Sequence, residues 1–159
     1  MKIGIVVYSY TGNTFLVSQI LASKLEENHF DVTIERLETY QNEEMDPQKV
    51  TLNNHLLLSK YDVLVFASPI RGFSLAAPFK KFLMDDFQEN GKKVYGFVTQ
   101  FLPFNWCGPN QAKKMMQAAL DQHKCEFTFM GSIKWKKRNR QEQIDDLVKN
   151  VIQKLKIAL

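Results

Sequence analysis

The sequence has few cysteines and no long apolar run. Its two cysteines, Cys107 and Cys125, supply neither a disulfide framework nor the spaced ligands of a metal cluster. The apolar runs are far shorter than the roughly 20 residues that a membrane-spanning helix needs. The segment after Met1 is too short for a signal peptide. We therefore expect no metal, no membrane partner and a location in the reducing cytoplasm.

The chain also lacks a strong charge imbalance. It carries 21 basic and 17 acidic side chains among 159 residues, which gives a net charge of +4. Many of the lysines fall in pairs, as on solvated helix surfaces, and no nucleic-acid-binding motif accompanies them. We expect a single globular domain over residues 1–159, with no nucleic-acid partner.

Short apolar segments recur along the chain and predict five strands. The segments 3–8, 61–67 and 92–99 are nearly continuous apolar runs, which are typical of strands buried on both faces. The segments 31–37 and 125–135 alternate between apolar and polar residues, which is typical of edge strands. The chain therefore has the strands of a sheet with a buried centre and two half-exposed edges.

Helical spacing of apolar residues appears between these strands. A short helix is expected over 52–58, and the helix after the third strand is expected to end at Gly91. The alternation predicts an α/β fold, a three-layer doubly wound sandwich around a five-stranded parallel sheet. With the continuous strands in the middle, the strand order is 2-1-3-4-5, and the ligand crevice lies at the carboxyl ends of strands one and three.

The loop after the first strand concentrates hydrogen-bond donors at the start of a predicted helix. It reads Ser9-Tyr10-Thr11-Gly12-Asn13-Thr14. Unpaired N–H groups and the positive pole of the helix dipole favour an anion here, and the loop adds three hydroxyl groups. The loop contains no Lys or Arg, so neutral donors would hold a phosphate. The alternative role for Thr11 or Asn13 is that of a helix cap.

The pattern Ser-x-Thr-Gly-Asn-Thr, directly after a first strand, resembles the phosphate loop of the flavodoxin family, which binds the 5′-phosphate of FMN. The competing motifs do not fit, because a P-loop needs Gly-Lys-Ser/Thr and a dinucleotide fingerprint needs three spaced glycines. The resemblance extends over essentially the whole chain and implies FMN as the cofactor. It also implies a set of phosphate-binding residues: Ser9, Thr11, Gly12, Asn13 and Thr14.

Two further loops are expected at the same edge of the sheet. By the resemblance, the loop after the third strand flanks the isoalloxazine ring with Ser68, Pro69, Ile70, Arg71, Gly72 and Phe73. The loop after the fourth strand closes the other side with Thr99, Gln100, Phe101, Phe104, Trp106, Cys107 and Gly108. Flavodoxins typically stack the flavin between a Trp and a Tyr, whereas these loops offer three Phe and one Trp. The stacking partners therefore stay open, and some of these aromatics could simply pack the loop bases.

Other doubly wound proteins fit these positions poorly. A response-regulator receiver needs acidic residues where Ser9 and Ser68 stand, and a low-molecular-weight phosphatase needs a cysteine in the first loop, which has none. No residue has the setting of a catalytic acid, base or nucleophile. This absence agrees with a flavoprotein, in which the flavin itself carries the chemistry.

Two functions remain open at this point. One is a flavodoxin-type carrier that passes electrons between redox partner proteins, favoured by the small size and the complete phosphate loop. The other is a small NAD(P)H-dependent, FMN-containing reductase of a quinone or similar acceptor. The positive net charge favours the reductase, because carrier flavodoxins are usually acidic. The short third loop lacks the insertion through which tetrameric relatives associate, and the oligomeric state stays open, with a monomer among the options.

A basic segment, residues 134–140, follows the fifth predicted strand. It holds five positive charges in seven residues, and the predicted strand order places it at the edge that carries the flavin crevice. Together with Arg71 it would attract an acidic redox partner or the phosphates of NADPH. The alternative is an ordinary solvated turn before the last helix.

Overall fold

The computed structural model describes residues 1–159, folded around one central sheet. The strands are β1 Lys2–Val7, β2 Asp31–Arg36, β3 Val63–Arg71, β4 Ser74–Leu75, β5 Lys93–Gln100 and β6 Glu126–Lys134. Five of them are parallel, in the order β2-β1-β3-β5-β6, and the short β4 pairs antiparallel with the end of β3. Counted without β4, this is the predicted order 2-1-3-4-5, which the structure confirms.

Four α-helices cover the sheet. They are α1 Asn13–Glu27, α2 Ala77–Lys81, α3 Pro109–Gln122 and α4 Arg140–Ile157. Pro109 suits the first position of α3, where the missing N–H would have had no partner within the helix. Glu142 in the first turn of α4 and Lys154 and Lys156 in its last turn oppose the helix dipole favourably. No helix combines the length and hydropathy needed to cross a bilayer.

The two faces of the sheet carry separate hydrophobic cores. One core buries residues of α1 and α4 against the sheet, and the other buries residues of α2, α3 and the segment 50–61. At the centre of the second core, the Phe66 ring meets those of Phe79, Phe82 and Phe87 edge to face, with centroids 5.5, 5.6 and 5.6 Å away. Each such pair adds about 0.5–1.5 kcal/mol beyond the buried area. This layering is the predicted three-layer sandwich.

The connection from β2 to β3 departs from the prediction. The expected helix over 52–58 is wrong, because the only helical turn in this connection is a 3₁₀ turn at Pro47–Lys49. Side chains here bind the backbone instead: Asn54 Nδ2 donates to the Arg36 carbonyl at 2.7 Å, and Thr39 Oγ1 donates to the Thr51 carbonyl at 2.8 Å. Such bonds compete with a helix for the backbone groups. The connection is therefore an irregular segment that crosses one face of the sheet.

The helix after β3 also ends earlier than predicted. α2 passes into a π-helical turn at Phe82–Asp86, which closes when the Phe87 N–H donates to the Phe82 carbonyl at 2.8 Å. The wider turn brings the Phe87 ring into the core, where it is 1% exposed. The helix thus ends several residues before Gly91, and burial of an aromatic ring determines its end.

Candidate functional site

Three loops meet at the carboxyl edge of the sheet, as predicted, and enclose two adjoining cavities. The central cavity, of about 250 Å³, is lined by Tyr10, Thr11, Asn13, Pro69, Ile70, Arg71, Thr99, Gln100, Phe101 and Trp135. The side cavity, of about 190 Å³, is lined by Ile70, Gly72, Phe73, Gln100, Phe101, Leu102 and Cys107. Ile70, Gln100 and Phe101 line both. Most of the predicted site residues thus come together, and their contact with a ligand remains a prediction.

The loop after β1 presents free backbone donors. Gly12, at φ +97°, turns the chain so that its carbonyl accepts the Leu16 N–H at 2.9 Å and starts α1. Ser9 Oγ accepts the N–H groups of Gly12 and Phe15 at 3.1 and 3.2 Å. The N–H groups of Thr11, Asn13 and Thr14 donate to no acceptor of the protein. Apart from Ser9, no side chain accepts an N–H group at this end of α1, so the cap proposed as the alternative role of Thr11 or Asn13 is not formed.

Thr14 differs from the other hydroxyl residues of this loop. Its side chain is buried, and its Oγ1 lies 2.8 Å from the Oγ1 of Thr99. Thr11 is exposed, and its hydroxyl has no protein partner. Of the predicted hydroxyl donors, Thr11 is therefore free for a ligand, Ser9 braces the loop, and Thr14 offers its backbone N–H.

The predicted second loop begins later than expected, because β3 continues through Ser68 to Arg71. Ser68 is fully buried, and its Oγ donates to the Pro69 carbonyl at 3.0 Å and accepts the Ala76 N–H at 3.4 Å. The side chain of Ser68 therefore braces the loop and lines neither cavity. Gly72 and Phe73, both at φ +59°, form the two-residue turn between β3 and β4. The turn leaves the Phe73 ring 61% exposed at the rim of the side cavity.

Arg71 is fixed by the segment that follows β2. Its guanidinium lies over the Tyr10 ring, 3.8 Å from the centroid, and donates to the Asn42 carbonyl at 2.7 Å. The Glu43 carboxylate lies 3.9 Å from Arg71 and accepts a hydrogen bond from the Tyr10 hydroxyl. This hydrogen bond raises the pKa of Tyr10, so its phenol stays neutral. The charge of Arg71 in the wall of the central cavity is therefore partly offset by Glu43, a largely exposed residue outside that wall.

The loop after β5 is organised by Gln100, which is 5% exposed. Its Nε2 donates to the carbonyls of Leu102 and, at 3.0 Å, Phe104, while its Oε1 accepts from Ser132 Oγ at 2.5 Å. A buried amide with its hydrogen bonds satisfied holds a loop in one conformation. Gln100 thereby ties the third loop to the neighbouring strand β6.

The aromatics of the third loop divide into two groups. Phe101 lines both cavities. The rings of Phe104 and Trp106 stack on each other instead, with centroids 5.7 Å apart and planes 9° apart, and line neither cavity. Cys107 is buried beside the side cavity, and Gly108 is buried against Ile70. Three predicted ligand contacts therefore lie away from the walls of both cavities: Phe104, Trp106 and Gly108.

Two aromatic residues of the central cavity were missed by the sequence analysis. Tyr10 lies within the first loop, which was interpreted as a phosphate site from its hydroxyl and glycine residues. Trp135 directly follows β6, and the predicted strand order already places that strand end at the site edge. Its ring packs under Arg140, whose guanidinium carbon lies 4.5 Å from the ring centroid. No group of three or more His, Cys, Asp or Glu side chains is arranged to hold a metal ion.

The chain matches no protein-family model and no curated protein. Solved structures resemble it closely in shape. Flavodoxin 2 from Bacillus cereus is 20% identical, with a TM-score of 0.67 over 97% of this chain and 99% of its own. A flavodoxin, WrbA-like protein from Agrobacterium tumefaciens is 15% identical, with a TM-score of 0.66 over 96% and 98%.

A third similar structure contains a ligand. The flavoprotein from Lactobacillus acidophilus, solved in complex with FMN, is 16% identical, with a TM-score of 0.60 over 82% of this chain and 91% of its own. At such identities a structural likeness establishes the fold, and function has to come from the site. The strand order, the layers and these likenesses together show that the chain has the flavodoxin-like fold.

Proposed function

We propose that the protein binds FMN and carries electrons between redox partner proteins. The observation that carries this proposal is the set of free N–H groups of Thr11, Asn13 and Thr14 at the start of α1, next to a cavity walled by aromatic rings. A phosphate suits the N–H groups and the helix dipole. A flat heteroaromatic ring suits the cavity wall, which includes Phe101 and Trp135.

The groups of the phosphate loop and of the central cavity wall suit FMN in charge as well as in shape. The phosphate loop holds its anion with neutral groups, and the only cation in the wall of the central cavity, Arg71, is paired with Glu43. FMN, when bound, supplies the ability to accept and release electrons. The chain orients it: Ser9 braces the phosphate loop, Ser68 the second loop and Gln100 the third.

The absence of a catalytic constellation among the lining residues supports a protein in which the bound flavin carries the chemistry. The side chains of the two cavities are hydroxyls, amides, aliphatics, aromatics, one paired Arg and one Cys. Neither cavity contains a His, Asp, Glu or Lys that could hold or move a proton for a substrate. Both cysteines are free thiols, which agrees with a location in the reducing cytoplasm.

A small NAD(P)H-dependent FMN reductase is the second candidate, and the net charge of +4 favours it. The two functions differ in one measurement. When the holoprotein is mixed anaerobically with excess NADPH or NADH in a stopped-flow instrument, a reductase loses its flavin absorbance within seconds. A carrier needs a partner protein, so its flavin absorbance persists.

Cofactor binding is tested by titrating the apoprotein with FMN and with riboflavin. Because the free N–H groups of the first loop bind the phosphate, we expect FMN to bind at least tenfold more tightly, a difference of about 1.4 kcal/mol. Equal affinities for the two flavins would show that the first loop does not bind the phosphate, and they would contradict the proposal.

A further inference from the structure

The charged residues around the cavities separate into two flanks. The segments 99–120 and 127–141, which lie on the β5 and β6 side, contain seven Lys or Arg and no Asp or Glu. We call these two segments the basic flank. The segment 38–54, which follows the opposite edge strand β2, contains four acidic residues and one Lys, and we call it the acidic flank. The central cavity lies between a positive and a negative side.

A large cleft adjoins the basic flank. This lysine cleft, of about 520 Å³, lies between the starts of α3 and α4 and the edge strand β6. Lys113, Lys134 and Lys137 line it, against a single acidic residue, Asp146. None of the three lysines forms a salt bridge. The other polar side chains of its wall are amides and one hydroxyl, so the cleft suits carboxylates.

Next to the lysine cleft, the third loop exposes an apolar patch. Phe101, Leu102, Phe104 and Trp106 are 51%, 47%, 53% and 74% exposed. Clustered exposed aromatics are typical of protein–protein interfaces. Phe101 belongs both to this patch and to the wall of the central cavity, and the Lys136 ammonium lies 5.8 Å from its ring centroid. The patch thus joins the flavin site to the basic flank.

We propose that the lysine cleft and the apolar patch together form the docking surface for an acidic redox protein. The partner's carboxylates lie over Lys113, Lys134 and Lys137, and its redox centre faces the apolar patch. The acidic flank repels the same partner and thereby fixes its orientation. One electron passes from the partner's redox centre to the bound FMN. This inference rests on the proposed function, because the partner exchanges electrons with the flavin.

The experiment uses a reduced plant-type [2Fe–2S] ferredoxin, an acidic protein, as the probe. Its second-order rate of flavin reduction in the holoprotein is measured by anaerobic stopped flow at several salt concentrations. Attraction between opposite charges is screened over about 8–10 Å at physiological salt. We expect the rate to fall steeply as salt rises, and to fall about tenfold at low salt in a Lys113→Ala/Lys134→Ala/Lys137→Ala variant.

A matched control separates local charge from net charge. Lys149→Ala/Lys154→Ala/Lys156→Ala removes the same three charges from the later part of α4; Lys154 lies about 20 Å along the helix from Arg140. We expect this control to react within about twofold of the parent. Equal loss in both variants, or no loss in either, would overturn the docking surface. If the half-buried Lys134 is needed for folding, Lys137→Glu alone, at an exposed position, makes the same test.

Two additional measurements distinguish the alternatives. FMN titration of each variant shows whether the flavin is still bound; failure of the parent to bind FMN overturns the proposed function and this inference with it. If the variants bind FMN normally and the rate of flavin reduction does not depend on the lysines, only this inference is overturned. If NADPH reduces the parent rapidly, and the lysine-cleft variant but not its control loses this reaction, the cleft binds a nucleotide phosphate and the acidic-protein proposal is wrong.

Discussion

Thr14, at the start of α1, and Thr99, near the end of β5, share a buried hydrogen bond between hydroxyl oxygens 2.8 Å apart. The two side chains are 1% and 4% exposed, and 85 positions separate them in the sequence. The bond connects the helix behind the phosphate loop to the strand that leads into the third loop. It gives the Thr14 side chain a structural role, while the Thr14 backbone N–H stays free and its contact with a phosphate remains a prediction.

The first prediction follows from this pair. Thr14→Val leaves the Thr99 hydroxyl buried without its partner, so we expect the free energy of unfolding to fall by about 1–3 kcal/mol. Thr99→Val should behave alike. The double variant, which removes both polar groups, should cost clearly less than the sum of the two. Urea unfolding of the apoproteins measures these values, and simple additivity would show that the hydroxyls do not depend on each other.

Thr11 provides the contrasting prediction. Its side chain is exposed, lines the central cavity and has no protein partner. We expect Thr11→Ala to weaken FMN binding by about 1–3 kcal/mol, leave riboflavin binding unchanged, and alter the free energy of unfolding by less than about 0.5 kcal/mol. Flavin titrations of the apoprotein test this. Ser23→Ala, at an exposed position within α1, is the control and should change none of these quantities.

The central strands could be predicted from the sequence because they are buried on both faces. Val65, Phe66 and Ala67 are fully buried, and such strands appear in the sequence as short continuous apolar runs. The segment 52–58 could not be predicted in the same way. Its apolar residues are spaced as in a helix, but the Asn54 amide binds the Arg36 carbonyl across the chain, and that contact exists only in the folded state.

The edge that carries the site was predictable, but the orientation of its aromatics was not. The strand order already brings the three loops together. Whether a ring faces the cavity depends on contacts made after folding: Trp106 stacks on Phe104, whereas Trp135 reaches the central cavity from β6. No local pattern around either Trp distinguishes the two outcomes.

Stability at alkaline pH gives a third prediction. Burial raises the pKa of Tyr95 above the ordinary value of 10.0, and the nearby Glu126 raises it further. Well below pH 10 the phenol is neutral in both states, so this contribution to stability is complete. As pH rises above 10, the unfolded state ionises first and the free energy of unfolding falls. Burial raises the pKa of Tyr8 and Tyr61 in the same direction.

We therefore expect the parent to lose stability as pH rises above 10, and Tyr95→Phe to lose less over the same rise. Urea unfolding at each pH gives the values. Tyr40→Phe, at a position that is 91% exposed, is the matched control and should follow the parent. Identical pH dependence in Tyr95→Phe and the parent would assign the loss to other groups.

Gly108 and Gly12 provide the last prediction, because both have positive φ but differ in the space around them. At Gly12, φ is +97° and a Cβ would meet nothing within 4 Å, so Gly12→Ala should cost only the backbone strain, about 1 kcal/mol. At Gly108, φ is +133° and a Cβ would collide with Ile70 Cγ2 and lie 3.1 Å from the Phe73 carbonyl carbon. Overpacking adds about 1–3 kcal/mol, so Gly108→Ala should be clearly the less stable variant.

Because Ile70 lines both cavities, Gly108→Ala should also weaken flavin binding. Ile70→Leu removes the colliding Cγ2 branch, so adding it to Gly108→Ala should restore part of the free energy of unfolding in urea. Equal costs at the two glycines, with no rescue by Ile70→Leu, would mean that the contact between the second and third loops does not limit the packing of this site.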